Sequence, residues 1–243
     1  MEQAPTNQSI QVFMGYDHRA PIGYHVCAQS LMEKSSLPLS MTPLKLSNLT
    51  HVFTRERSPT QLCDFSHSRF LVPYLSGYEG WSLYMDGCIM LVRDDIAKLW
   101  ALRDEQYAVM VVKRPDFKEN EHTFMGTTIP TYPMFNWASV MLFNNKKCKS
   151  LTPESVNTSE HLFLHQFKWL ENPLLIGALP PSWNHLVGYD GADENAKLVH
   201  WTLGAPYLGG EFANTEHAPE WFSLEKKITT LQESSFESDR KVG

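Results

Sequence analysis

The chain has 243 residues, of which 42% are hydrophobic and 12% aromatic, enough for a sizeable core in one large domain or two small ones. A net charge of −6 argues against a nucleic-acid backbone or an anionic membrane as the main partner, although a local basic site for a phosphate stays open. No run approaches the roughly 20 apolar residues of a membrane span, and the polar N-terminus has no apolar signal segment, so the expected compartment is the cytoplasm.

Cys27, Cys63, Cys88 and Cys148 form no Cys-x-x-Cys pair and match no zinc spacing, so they read as reduced, mostly buried thiols. Without a secretory signal, the sequons at Asn7, Asn48 and Asn157 read as chance matches.

In chain order, residues 1–9 read as a flexible leader and residues 10–231 as a single domain. Ile10 to Met14 is an apolar strand ending at Gly15-Tyr16-Asp17, and Ala20 to Lys34 is a helix with Pro21 near its start, where proline is tolerated. Strand, glycine turn and helix open a nucleotide-binding α/β domain. Asp17 is then either a helix cap or an acceptor for a base or ribose. There is no Gly-x-Gly-x-x-Gly, no Walker lysine loop and no Gly-x-Ser-x-Gly, which leaves little support for a dehydrogenase or an α/β hydrolase.

Pro43 to Leu46 is expected as a second strand and Leu49 to Phe65 as a loop. Ser66 to Leu75 starts a helix that carries Arg69 among apolar residues. Arg69 is either a surface side chain with a buried stem or is paired with an acid or a diphosphate. Trp81 to Val92 is an apolar strand interrupted by Asp86-Gly87-Cys88. A carboxylate there is a polar residue beside a glycine turn or part of a ligand or metal site, since α/β sheets bind ligands where strands end.

Asp94 to Leu102 is expected as a helix and Tyr107 to Val112 as a strand. Lys113-Arg114 at its end is either a solvated turn or meets phosphate. Lys118 to Pro133 reads as a functional loop. Phe135 to Asn145 is a strand in which the small pair Ala138-Ser139 admits a ligand or another backbone. Thr152 to Val156 starts a helical turn, His161 to Leu170 is an amphipathic helix with His165 and Gln166, and Leu179 to His185 is a stiff aromatic loop. Lys197 to Trp201 is a strand carrying His200, Thr202 to Tyr207 a turn, Trp221 to Leu231 a last helix, and residues 232–243 a polar tail expected to be disordered. The aromatic segment Tyr207 to Phe222 either packs on the core or forms a dimer surface.

Taken together, Val12 to Asp17, Ser66 to Pro73, Leu83 to Cys88, Asn136 to Asn144, Leu179 to Gly188 and Val199 to Gly204 resemble, in order, the landmarks of GT-A nucleotide-sugar glycosyltransferases similar to glycosyltransferase family 8. The resemblance implies an α/β fold, a Rossmann-like mixed sheet flanked by helices. It also implies transfer of a sugar, with retention, from a nucleotide diphosphate donor, usually a UDP-sugar, to an acceptor that the sequence does not name. It gives Gly15, Tyr16 and Asp17 to the base and ribose and Arg69 to the diphosphate end. Asp86 is the first acid of the Asp-x-Asp metal motif, with Ala138 and Ser139 also on the donor. His200 is the late ligand of Mn²⁺ (or Mg²⁺), and Gly204 lets the backbone approach the phosphates. Gln166, or its neighbour His165, falls near the polar residue on the reacting face of the sugar.

Two departures from the family pattern stand out. Cys88 replaces the second acid, and a thiolate is a softer ligand than a carboxylate. Ala205-Pro206-Tyr207 stands where a lysine commonly faces the diphosphate, leaving Lys113 or Arg114 as substitutes. A catalytically impaired relative that binds a nucleotide or sugar, or serves as an assembly partner, is therefore the alternative reading.

Overall fold

Strand β1 (Ile10–Gly15) pairs in parallel with β2 (Leu39–Leu44) on one side and β3 (Trp81–Met85) on the other. These residues belong to a computed structural model that describes residues 9–58, 61–114 and 121–230. The residues read as a leader and a charged tail, apart from Ser9, lie outside that range, as do residues 115–120. The link from β1 to β2 is helix α1 (Pro21–Lys34), with Pro21 at its first turn, where its missing N–H costs no hydrogen bond.

Beyond β3 the sheet continues with β8 (Val140–Asn144), β5 (Val109–Val111) and β9 (Ile176–Ala178), in the order β2-β1-β3-β8-β5-β9. β8 runs antiparallel to both its neighbours and β5 pairs in parallel with β9, so the sheet is mixed. The two-residue pleat sorts side chains between two cores. Val12, Met14, Leu83, Met85, Met110 and Leu142 pack on one face with Cys27 and Leu31 of α1. Phe13, Tyr84, Val109, Val111, Met141 and Phe143 pack on the other with Phe65 and Phe70. Burial on both faces explains why these strands read as continuous apolar runs rather than alternating ones.

The run Trp81 to Val92 is not one strand. It breaks after Met85, turns through Asp86-Gly87-Cys88, and re-emerges as β4 (Met90–Val92). β4 pairs antiparallel with β11 (Leu198–His200), which pairs in parallel with β10 (His185–Leu186), forming a second sheet of three strands. The turn depends on Gly87, where a Cβ would sit 2.6 Å from the Gly15 carbonyl oxygen.

Other boundaries also move. β2 lies four residues upstream of its expected start, with Pro43 accepted because this is an edge strand. The helical segment after residue 65 is α2 (Phe65–Ser68), a 3₁₀ turn at Arg69–Leu71, and α3 (Val72–Leu75). Helix α4 (Ile96–Trp100) is shorter than expected because Asp95 caps it, accepting the Ala97 N–H.

Residues 121–130 form a hairpin, β6 (Glu121–Phe124) and β7 (Thr127–Pro130), instead of an open loop. Met125 and Gly126, both at positive φ, supply its two-residue turn. Residues 135–139 are not extended: Asn136 takes φ 61° and a 3₁₀ turn spans Trp137–Ser139 before β8 starts. Helix α5 (Pro153–Thr158) is capped by Thr152. Helix α6 (His161–His165) ends five residues early because Phe167 is left-handed at φ 55°. The chain closes with α7 (Ala218–Thr229), whose buried Trp221 joins the core with Tyr207 packed against it, while Leu208 and Phe222 of the same segment stay exposed. Among the described residues no helix is long and apolar enough to cross a membrane.

Candidate functional site

Asp86 follows directly on β3, and its carboxylate reaches the face of the sheet that Tyr84 occupies. Its backbone N–H donates to the Ser139 carbonyl at 3.1 Å, which is the close backbone approach that the small Ala138-Ser139 pair permits. The Tyr84 hydroxyl donates to Asp86 Oδ1 at 2.6 Å, and Arg69 Nη2 lies 3.0 Å from the same oxygen. The Ser139 side chain adds a further hydrogen bond. Both Arg69 and Asp86 are buried.

Arg69 is held by more than its ion pair. Nη1 donates to the Ala138 carbonyl at 2.8 Å and Nε to the Phe65 carbonyl at 3.2 Å. Its guanidinium carbon lies 5.4 Å from the Phe65 ring centroid and 5.1 Å from that of Tyr84. Burial pushes the Asp86 carboxyl above the usual range, and the Arg69 charge opposes that rise. Burial is the largest single effect and works against the Arg69 charge, but Asp86 with Tyr84, Cys63 and Tyr132 together outweigh it, and the guanidinium holds its proton more tightly than usual.

His200, from β11, lines the same cavity as Arg69 and Asp86. Its Nδ1 is 3.0 Å from Asn184 Oδ1, an atom that can only accept, so the proton sits on Nδ1. Nε2 is buried with no hydrogen-bond partner and carries a free lone pair. Burial, with the nearby charges of Arg114 and Arg69, keeps the ring neutral. The cavity has a volume of about 70 Å³. That is room for a few waters, against the roughly 300 Å³ or more of a pocket for a small-molecule ligand. His122, Phe124 and Ile129 of the β6–β7 hairpin form part of its wall.

His165 also lines this cavity, with Nε2 2.9 Å from the Ser66 carbonyl. It stacks on His161 with centroids 4.1 Å apart. His161 Nδ1 is 3.2 Å from His67 Nε2, and its Nε2 is 3.2 Å from the Tyr132 hydroxyl. This histidine–tyrosine group went unseen in the sequence. The four-residue spacing of His161 and His165 on one helix face was the signal for it. The sequence marked the segments holding His122, Tyr132 and Asn184, the Lys118–Pro133 loop and the Leu179–Gly188 landmark, but singled out none of these residues. Gln166 is not among the cavity's lining residues; its Nε2 donates to the Pro133 carbonyl at 3.4 Å.

The remaining candidates lie elsewhere. Asp17 is buried and satisfied within the protein: Oδ1 accepts the Arg19 backbone N–H at 3.0 Å and Nε at 2.9 Å, and Oδ2 accepts Arg19 Nη2 at 2.7 Å and the Asp64 N–H at 3.1 Å. Tyr16 packs edge-on against Tyr24. The space beside Gly15 is filled by the Phe65 ring, 2.5 Å from where a Cβ would be, and the space beside Gly204 by the Phe212 ring at the same distance. Arg114 is engaged by Asp190 at 2.6 Å and by the Asn184 carbonyl, while Lys113 is exposed.

Cys88 does not line the Asp86 cavity. Its Sγ accepts the Asp17 N–H at 3.2 Å and lies 3.7 Å from the Gly15 carbonyl, and burial pushes the thiol well above its usual pKa. Among the described residues, Asp86, Cys88 and His200 do not converge as a group of three metal donors. His200 Nε2 suits a cation. Asp86, however, is already neutralised by Arg69 and hydrogen-bonded by Tyr84, and the thiol is neutral and faces away. This donor set does not fit Mn²⁺ or Mg²⁺, which favour several oxygen ligands.

No protein-family model matches the chain. Among solved structures, the chain is similar to the bifunctional glycosyltransferase WbbM, with a TM-score of 0.66 at 13% identity over 92% of this chain and 50% of that one. It is also similar to the glycosyltransferase GlyE of Streptococcus pneumoniae, with a TM-score of 0.58 at 14% identity over 89% of this chain and 61% of that one. The galactosyltransferase LgtC gives 0.55 at 14% identity over 93% and 98%. The chain thus spans half of WbbM and under two thirds of GlyE, and at such identities the likeness is one of fold: the chain has the GT-A fold. In sequence it is 39% identical over 223 residues to Protein CDI of Arabidopsis thaliana, covering 88% of this chain and 85% of that protein. At that identity and coverage, the chain belongs to the family of Protein CDI.

Proposed function

We propose that this protein is a glycosyltransferase similar to family 8, moving a sugar from a nucleotide diphosphate donor, a UDP-sugar, to an acceptor with retention. The observation that carries the reading is the unpartnered Nε2 of His200 in the same cavity as the buried Arg69–Asp86 pair, where β3 of a GT-A sheet ends. An orphaned buried nitrogen is costly unless it serves a ligand. LgtC, which shares the fold, has been solved with donor and acceptor sugar analogues. In this reading Arg69 faces the donor's diphosphate end, with Asp86 holding its guanidinium in place, and His165, rather than Gln166, meets the sugar. The β6–β7 hairpin moves to admit a ligand larger than the present cavity. Because the donor set does not suit Mn²⁺, no step is assigned to a cation.

A second reading, a GT-A protein that binds a nucleotide or sugar without transfer, is favoured by the same saturated Asp86 carboxylate. A thermal-shift screen of UDP, GDP, CMP and their sugars, with and without Mn²⁺, followed by donor-hydrolysis assays, separates the two. Transfer predicts a shift and turnover, both lost in His200→Ala. A shift without turnover supports the second reading, and no shift with any donor sinks both.

A further inference from the structure

A second cluster of donors lies one strand away from His200, and the sugar-transfer reading makes no use of it. His185 stands on β10, while Glu216 and His217 sit at the entry to α7. One ligand atom from each lies within 4.8 Å of the others. His185 Nε2 is 3.0 Å from Glu216 Oε2, and His217 Nε2 is 3.0 Å from Glu216 Oε1. Both imidazoles are buried. His217 points into the group from a left-handed backbone at φ 60°, a conformation uncommon outside glycine.

The surroundings resemble the outer shell of a metal centre. His217 Nδ1 lies at hydrogen-bond distance, 3.3 Å, from Glu220 Oε1, while His185 Nδ1 lies 3.7 Å from Asp190 Oδ2, an ion-pair separation too long for a hydrogen bond. At His217 a carboxylate–histidine hydrogen bond of this kind fixes the tautomer that frees Nε2 for an ion. The outer carboxylates have cations of their own, Asp190 with Arg114 at 2.6 Å and Glu220 with Arg93 at 2.9 Å. Among the described residues Glu216 has no lysine or arginine within ion-pair distance; its Oε1 accepts the Asp193 N–H at 2.7 Å. A metal replaces the Nε2 protons and the 3.2 Å contact of His217 Nε2 with the Asp193 carbonyl.

We infer that His185, Glu216 and His217 bind one zinc ion. Two imidazoles and a carboxylate are a zinc donor set, each imidazole lies 3.0 Å from one oxygen of the Glu216 carboxylate, and one donor atom from each residue lies within 4.8 Å of the others. The fourth position is left to water. The ion ties the entry of α7 to β10, whose His185 and Leu186 pair with Val199 and His200. Through the neighbouring Asn184, it steadies the imidazole of His200.

The test uses the full chain, stripped with a chelator and reloaded with Zn²⁺ or Co²⁺. The expected result is one Zn²⁺ per chain by elemental analysis. The Co²⁺ form should show visible ligand-field bands of a low-coordinate N/O site without the near-ultraviolet charge transfer of a thiolate. Glu216→Gln and His185→Gln should each weaken Zn²⁺ binding at least tenfold, with folding followed by circular dichroism. His18→Ala, in the separate Asp17–His18–Asp64 cluster, should leave it unchanged. Absence of stoichiometric zinc in the wild type, a thiolate band, or undiminished binding in either folded variant overturns the inference. If both variants fail to fold, the wild-type stoichiometry and the Co²⁺ spectrum decide it.

Discussion

Arg69 Nη2 and Asp86 Oδ1 lie 3.0 Å apart, with both side chains almost wholly removed from water. Desolvating two ions is expensive, and the pair persists because carbonyls, Tyr84 and Ser139 satisfy its remaining valences. Arg69→Met leaves a bare buried carboxylate, and Asp86→Asn leaves a bare guanidinium. Each is expected to cost about 3–5 kcal/mol, and the double variant less than the sum of the two. Urea denaturation of the four proteins measures the coupling, and simple additivity would contradict a directly paired arrangement.

The buried histidines predict an acid-labile fold. Burial, aided by the nearby arginines, lowers His161 from 6.5 to about 4; burial also takes His122 to about 4 and His67 to about 3. In the unfolded chain these groups titrate near 6.5, so between about pH 6.5 and 4 the unfolded state binds more protons and stability falls as pH falls. Each such histidine contributes a slope of up to about 1.4 kcal/mol per pH unit. Denaturation midpoints recorded at a series of pH values should show stability flat above the window. The slope within it should be shallower in His161→Gln. An unchanged slope in that variant would show that His161 is not held neutral.

Gly23 lies on α1 against the turn that follows Asp86. A Cβ there would stand 2.1 Å from the Cys88 carbonyl oxygen and 2.8 Å from the Tyr207 ring. Helix propensity alone favours Gly23→Ala by about 1 kcal/mol. The clash with backbone outweighs it, and a net loss of about 1–3 kcal/mol is expected. Thermal unfolding gives the sign directly: a stabilised variant would mean that the turn yields easily.

Restoring a second acid to the Asp-x-Asp pattern should not restore a metal site. Cys88 is buried against the Asp17 N–H and the Gly15 carbonyl, so Cys88→Asp places a carboxylate in a dry pocket near the Asp17 carboxylate. A loss of about 3 kcal/mol or more is expected, with no gain in Mn²⁺ affinity. Calorimetric titration with Mn²⁺ checks this, and a stable variant that binds Mn²⁺ more tightly than wild type would refute the placement of the thiol.

Local chemistry was enough to read the strand–glycine–helix opening, the apolar central strands, the proline at the start of α1 and the Arg69–Asp86 pairing as one of the options. Each rests on a period of two or 3.6 residues, on one residue's backbone limits, or on the cost of an isolated buried charge, and all of these act within a few residues. That the two halves of the Trp81–Val92 run, on either side of the Asp86-Gly87-Cys88 turn, lie in different sheets was not legible. An apolar stretch reads alike whether its halves lie in one sheet or two, and Gly87 becomes decisive only when the Gly15 carbonyl is 2.6 Å from its missing Cβ. The same holds for Cys88, adjacent in sequence to a metal motif but turned toward Asp17, and for Gly204, whose small size serves the Phe212 ring. Only packing decided that His200 meets the Asp86 cavity with a bare nitrogen, that α6 ends before Gln166, and that His185 finds Glu216 and His217 some thirty positions away. Distant partners are chosen by which surfaces the folded layers bring together, and no local period encodes that choice.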